Sequence, residues 1–332
     1  MGESKPRTVT NMRAVVVNEP GGVDALEVVD VPDPEAGPGE VLIKVRAAGV
    51  NRADLLQRQG FYQPPPGATD VLGLECSGEV AAVGADVTGF AVGDPVCALL
   101  SGGGYAELVA VPAGQVAPVP EGVDLVDAGG LMETTCTVWS NVVMVGDLRA
   151  GQRLLVHGGG SGIGTTAIQI ATALGARVAT TVGSPEKADV CRELGADVVV
   201  NYREQDFAEA LRDDPANVVL DIIGAKYLAA NVGVLAYGGR LVIIGMQGGT
   251  KAELDIRALA QRHASVTATL LRASSAEEKA EIVAQTVANV WPMITAGTVR
   301  PIVHATFPLA DVSQAHQVLE ESSQVGKVLL IP

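Results

Sequence analysis

The sequence predicts an α/β protein in which a partly closed β-barrel is followed by a doubly wound parallel sheet. Between residues 12 and 120, short β-rich runs are separated by Gly and Pro turns, the pattern of antiparallel strands that curl into a barrel. Beyond residue 151, apolar runs of strand length alternate with helical segments, which implies right-handed crossovers, a parallel sheet and a ligand at the carboxyl ends of its strands. At the junction, RLLVHGGGSGIGTTAIQIATAL (153–174) reads as a strand, a glycine turn and a helix in immediate succession.

Taken in order, the polar opening MGESKPRTVT lacks the hydrophobic stretch of a signal peptide, and residues 1–11 read as a solvated tail. The barrel strands are MRAVVVN, ALEVVDV, EVLIKVRAAGV, CSGEVAAVG, DPVCALL and YAELVAV. One helix interrupts them at 52–58, where Asn51 can act as its cap, and a proline-rich loop, GFYQPPPGATD, follows with Tyr62 in it. From Asp124 the pattern turns helical. Strands are expected at 153–157, 177–182, 197–201, 217–222, 239–245 and 264–270, with helices between them. Past 275 come a helix (276–290), a strand near 300–304, a helix (310–320) and the strand KVLLI, which return to the barrel. The expected domains are therefore 12–124 with 275–332, and 125–274.

Within the junction, 153–156 is a buried strand, and Ile163, Ala167, Ile170 and Leu174 share one helical face before Gly175 stops the helix. Five glycines lie between residues 158 and 164. Their backbone N–H groups can approach a pyrophosphate closely, and the helix N-terminus adds partial positive charge. The spacing Gly159-x-x-Gly162-x-Gly164 departs from the usual G-x-G-x-x-G, so the flanking strand and helix carry the assignment; a flexible linker would have neither. The expected cradle is Gly159, Gly160, Ser161, Gly162 and Ile163.

NAD-binding folds place an acidic residue at the end of the second strand to hold the ribose hydroxyls. Here that position reads TTVGSPEK, with Gly183 at the strand end and Ser184, Lys187 and, after the next strand, Tyr202 nearby. A 2′-phosphate suits such a site, so NADPH is the expected cofactor. In the plainer alternative Ser184 caps a helix beginning at Pro185, and Lys187 is a solvated helix side chain.

Composition narrows the partners. A net charge of −15 with only 3% aromatics opposes nucleic-acid binding and anionic membranes, and no apolar run reaches membrane-spanning length. Cys76, Cys97, Cys136 and Cys191 are widely spaced without C-x-x-C, which argues against a zinc knuckle or a disulfide framework and fits a cytoplasmic protein.

The segments GVNRADLLQRQGFYQPPPG (49–67), Gly73-Leu-Glu-x-x-Gly78, Val83-Gly84, Gly93-Asp94, the run from Gly151-Gln152 through HGGGSGIG to Gln169, GSPEK and NYRE together resemble the medium-chain dehydrogenase/reductase superfamily over nearly the whole chain. Within it the chain is similar to the zinc-free quinone oxidoreductase, zeta-crystallin-like branch. The resemblance implies a GroES-like catalytic domain and a Rossmann cofactor domain. Where zinc-containing relatives hold a catalytic metal, this chain has Asn51, Leu74-Glu75 and Glu133, and leucine does not ligate, so no metal is expected.

The resemblance further implies hydride transfer from NADPH to quinones or other electron-poor α,β-unsaturated carbonyls. Asn51, Tyr62 and Thr137 would face nicotinamide and substrate, with Gly245, Met246 and the 270–272 segment, Leu271 included, closing the site. Tyr62 is the candidate proton or hydrogen-bond donor, its alternative being a loop aromatic packed on Pro64–Pro66. The unblunted strand ASVTATL (264–270) and the family's habit point to a homodimer. Two other functions stay open: an enoyl thioester reductase, and a catalytically weak NADPH-binding sensor or crystallin-like protein.

Overall fold

A computed structural model describes residues 10–332; the tail expected at 1–9 lies outside the described residues. The chain is in a strand by Asn11, which pairs with Pro32, so ordered structure starts slightly earlier than the expected boundary at residue 12.

The first strands, β1 (Asn11–Val17) and β2 (Leu26–Pro32), form an antiparallel ribbon. The barrel proper is built from β3 (Glu40–Val50), β4 (Glu75–Val83), β5 (Pro95–Leu99), β6 (Leu108–Pro112) and β7 (Val116–Pro118), with helix α1 (Arg52–Arg58) inserted after β3. The three-residue β7 carries too little pattern to stand out in the sequence.

The parallel sheet consists of β8 (Arg153–His157), β9 (Arg177–Val182), β10 (Val198–Asn201), β11 (Ala216–Asp221), β12 (Leu235–Ile243) and β13 (Ser265–Ala268). Helices α2 (Met132–Val138), α3 (Gly162–Ala173), α4 (Pro185–Glu193), α5 (Phe207–Ala210), α6 (Leu228–Gly233) and α7 (Ile256–Gln261) belong to this part of the chain. After α8 (Ala276–Thr295), β14 (Val303–Pro308), α9 (Val312–Glu320) and β15 (Lys327–Ile331) return to the barrel sheet.

Strand order in the parallel sheet is β10-β9-β8-β11-β12-β13, so the direction of winding reverses between β8 and β11, where a doubly wound sheet opens its ligand crevice. The glycine turn follows β8 and faces that crevice. The barrel sheet runs β14-β15-β3-β4-β5-β7, with β6 added on β3; its end strands do not pair with each other, so the barrel stays open. This is a GroES-like domain joined to a Rossmann-like sheet, the architecture expected from the sequence.

Local differences have local causes. The helix expected at 276–290 continues to Thr295 through Pro292, because Val290, Trp291 and Ile294 extend its buried face into the core. The strand expected near 300–304 starts at Val303, after Pro301, which has no N–H to give to a ladder. The helical stretch that includes α2 tightens and then loosens: a 3₁₀ turn at Asp127–Gly130 leads into α2, and a π-helical turn follows at Trp139–Val145.

One apolar cluster spans both parts. Cys97, Leu99 and Ala117 of the barrel share a cluster with Leu154 and Val156 of β8 and Ile168 of α3, bridged by residues of α2 and α8, and Trp291 donates its indole N–H to the Pro118 carbonyl at 2.8 Å. Continuous packing of this kind fixes the two walls of the cleft against each other. Among the described residues, no helix is long and apolar enough to cross a membrane.

Candidate active site

The glycines after β8 divide into two sets. Gly158 has φ +76°, and the N–H groups of Gly158 and Gly159 both donate to the Thr181 carbonyl, at 3.1 and 2.9 Å, turning the chain tightly against β9. A Cβ on Gly159 would lie 2.3 Å from Thr180 Oγ1, and one on Gly164 would lie 2.3 Å from the Gly158 carbonyl oxygen. Those two glycines let helix and strand pack. Gly160 and Gly162 instead line the cleft, where an added Cβ would meet the stem of Lys187 at the first and the Lys327 stem and the Thr134 methyl at the second. Ser161 caps α3 by accepting from Gly164 N at 3.0 Å while its hydroxyl donates to Gly158 O at 2.7 Å. His157 below is buried between Thr181 and Asn231, and burial pulls its pKa down to about 4, so it acts as a neutral anchor.

Around this turn runs a cleft of about 440 Å³. Gly160, Ser161, Gly162 and Ile163 line it, as do Gly183, Lys187 and Tyr202 from the ends of β9 and β10, and Asn51 from the barrel. Ser184 does cap α4, accepting from Lys187 N at 3.4 Å with Pro185 in the first turn. Lys187 is nevertheless held at the cleft, because its ammonium donates to the Ser322 carbonyl at 2.5 Å. The Tyr202 hydroxyl lies over Gly183, 2.4 Å from where a Cβ would stand.

The opposite wall is made of charged side chains drawn from distant parts of the chain. Lys327, at the start of β15, is buried and pairs with the fully buried Glu75 at 2.6 Å. Its ammonium also donates to Asn51 Oδ1 at 2.7 Å and to the Val50 carbonyl at 3.2 Å. Asn51 Nδ2 donates back to Glu75 Oε1 at 3.0 Å, and the other Glu75 oxygen accepts from Glu133 N at 3.0 Å. Asn51 is therefore more than a cap: its backbone N–H is taken by the Asp54 carboxylate at 2.8 Å, which frees the side chain for Lys327 and Glu75. The neighbouring Gly326 N donates to the Gly160 carbonyl at 2.9 Å, joining the last barrel strand to the glycine turn.

Asn51, Glu75 and Glu133 thus surround an ammonium, while Leu74 offers no donor to a metal; among the described residues no three His, Cys, Asp or Glu side chains converge with metal-binding geometry. Thr137, one turn along α2, donates to Glu133 Oε1 at 3.1 Å. Desolvation pushes the Glu133 carboxyl up to about 7, with Lys327 opposing and Glu75 reinforcing the rise.

Tyr62 lies half-buried on the proline-rich loop, and the Arg272 guanidinium sits 5.3 Å from its ring centroid. Burial raises the phenol above its ordinary pKa, the Arg272 charge lowers it, and Glu133 raises it further. Gly245 packs against Ile222, so its Cβ would lie 2.8 Å from the Ile222 carbonyl oxygen. Met246 and Leu271 line apolar grooves beside β13 rather than the glycine-turn cleft, Met246 with Thr269 and Leu270, Leu271 with Asn141 and Met144. Gly159 and Ser184 support the cleft from behind. Reading the sequence alone misses Lys327 and takes in Arg272 only as part of the 270–272 segment, without its place beneath Tyr62; the only hint of the first is a lysine opening an otherwise apolar strand.

Comparison with known proteins agrees with this architecture. Residues 37–121 match the alcohol dehydrogenase GroES-like domain and residues 162–288 the zinc-binding dehydrogenase domain. A quinone oxidoreductase of Rattus norvegicus is 31% identical over 329 residues, covering 96% of this chain and 98% of its own. The structure of Escherichia coli quinone oxidoreductase complexed with NADPH superposes with a TM-score of 0.85 at 27% identity, covering 97% of this chain and 100% of that one. A mycobacterial protein complexed with NADPH gives a TM-score of 0.86 at 35% identity, over 97% and 100% of the two chains. Fold and relatives define an oxidoreductase with a GroES-like domain and a Rossmann-like sheet, and the chain belongs to the medium-chain dehydrogenase/reductase superfamily, in its quinone oxidoreductase branch.

Proposed function

We propose that the chain is an NADPH-dependent quinone oxidoreductase that reduces quinones, or other electron-poor α,β-unsaturated carbonyls, without zinc. The observation that carries this reading is the cleft itself: a glycine turn open at Gly160 and Gly162, at the N-terminus of a capped helix, with Lys187 and Tyr202 where an NAD-binding chain has a carboxylate. The fit to a dinucleotide is steric as well as electrostatic, since a side chain at Gly160 or Gly162 would push against Lys187 or against Lys327 and Thr134, which line the same cleft. When bound, NADPH would supply the hydride.

The protein's own residues supply the rest. The turn from Gly160 to Ile163 holds the phosphates through its uncommitted backbone N–H groups, and Lys187 and Tyr202 recognise the 2′-phosphate, with Ser184 kept behind them as the α4 cap. Asn51, fixed by Lys327 and Glu75, and Thr137, fixed by Glu133, shape the wall on which the acceptor lies. With an ammonium bonded among the residues that stand at a relative's metal positions, no Lewis acid polarises an alcohol, so the suitable substrate is already electron-poor. Acceptor and cofactor are held together out of water between these two walls, whereas Met246 and Leu271, expected to close the site, line separate grooves beside β13. The free edge of β13 supports pairing with a second copy, and four buried free thiols accord with the cytoplasm.

Following NADPH absorbance across ortho- and para-quinones, enals and enoyl thioesters, with and without a chelator, tests the proposal. Consumption is expected with quinones or enals and is unchanged by chelation. Consumption with enoyl thioesters alone would favour the thioester reductase, and none with any acceptor would favour a sensor.

A further inference from the structure

The most unusual charge in the molecule lies outside the Lys327 network. Arg272, in the short turn Leu271–Ala273, is 5% exposed, yet its Nη1 and Nη2 groups have no hydrogen-bond partner. Only Nε is used, donating to the Ser101 carbonyl at 2.9 Å. A second buried cation lies beside it: Lys279, 4% exposed, donates to the Arg272 carbonyl at 2.8 Å and to Ser101 Oγ at 2.7 Å. Arg272 forms no ion pair among the described residues. Asp54, whose charge it feels, is already engaged by Asn51 N, Gly73 N and the Tyr105 hydroxyl.

Burying an arginine fork without an acceptor is costly unless something pairs with it in the working state. What covers it is a side chain on an irregular loop. The Tyr62 ring stacks over the guanidinium, and its loop lacks regular structure and is bounded by Gly60 (φ +82°) and Gly67 (φ +86°), both in the left-handed region. Adjacent Phe61 is 79% exposed.

We propose that Arg272 is an anion-recognising residue whose Nη1 and Nη2 groups receive the acceptor oxygen that becomes negatively charged on reduction, with the Tyr62 ring as a cover that the acceptor displaces. For its occupant this rests on the quinone reductase reading. One hydride added to a quinone leaves a hydroquinone monoanion, and a proton from water then completes the product. A planar fork holding two free N–H groups matches that oxygen better than a point charge does.

para-Nitrophenol probes the site without cofactor or turnover, because its phenolate absorbs visible light and its phenol does not. Bound to the full chain, its pKa is expected to fall by about one unit, a roughly tenfold preference for the anion. Arg272→Gln is expected to bind the neutral phenol but lose the shift, and Arg272→Lys to keep only part of it. No shift with the unmodified chain, or the full shift in Arg272→Gln, overturns the assignment. If Arg272→Gln does not fold, a full shift in Arg272→Lys overturns it, because charge without the fork would then suffice. The quinone assay separates the two ideas: an Arg272-dependent phenolate site on a chain that reduces no quinone sinks the reductase reading alone, whereas quinone reduction with an Arg272-independent shift sinks this one alone.

Discussion

The two walls of the cleft are built by different means. On the Rossmann-like side the cradle is backbone: consecutive glycines, a serine cap and a helix terminus, all within a few residues of one another. On the barrel side the wall is side-chain charge, Lys327 against Glu75 and Asn51, assembled from residues as far as 276 positions apart. The first wall, on the proposed function, would recognise a constant group through backbone geometry that a glycine turn of this kind supplies. The second is the costlier to disturb, since each buried charge depends on its partner.

Removing one member of the pair is therefore expected to have the largest effect. Lys327→Met leaves Glu75 buried and uncompensated, at a cost of about 3–5 kcal/mol in unfolding free energy, measured by urea denaturation. The double variant Lys327→Met/Glu75→Gln should recover most of that loss; if the single variant is as stable as the parent, the pair does not hold this wall.

The same contrast explains what could be read from the sequence. The strand–glycine–helix signal at 153–174 and the alternation of strands that follows are local, so periodicity and turn chemistry reveal them, and helix α1 lies at the expected Arg52–Arg58. The barrel's closing pieces were legible as strands but not in register, because β15 pairs with β3 across almost the whole chain. Least visible was the charge wall. Lys327 reads as an ordinary strand-opening lysine and Arg272 as an ordinary turn arginine, and nothing short of tertiary structure shows that the first is buried among Glu75 and Asn51 and the second beneath Tyr62. Asn51 was expected at the site on resemblance, with its alternative role as a cap; the structure gives it the cap position while its side chain belongs to the charge wall.

A smaller effect is expected from Glu133. Its carboxyl is raised to about 7 by burial, so it is mostly protonated at pH 6 and mostly ionised at pH 8. Ionisation adds negative charge beside Tyr62, whose phenol Glu133 already pushes upward, and opposes charge growing on an acceptor oxygen. Quinone reduction should therefore fall severalfold as pH rises through about 7. Glu133→Gln, which keeps an acceptor for Thr137, should flatten that limb, and an unchanged profile would remove Glu133 from the account.

The cofactor assignment on the Rossmann-like side, where Lys187 lines the cleft beside the glycine turn, is tested most directly by calorimetric titration of NADPH and NADH into the full chain and into Lys187→Ala. The account predicts tighter binding of NADPH by the parent, and in the variant a loss of about 1.5–3 kcal/mol, roughly ten- to a hundredfold, for NADPH with little change for NADH. Equal weakening of both, or no binding of either to the parent, would contradict it.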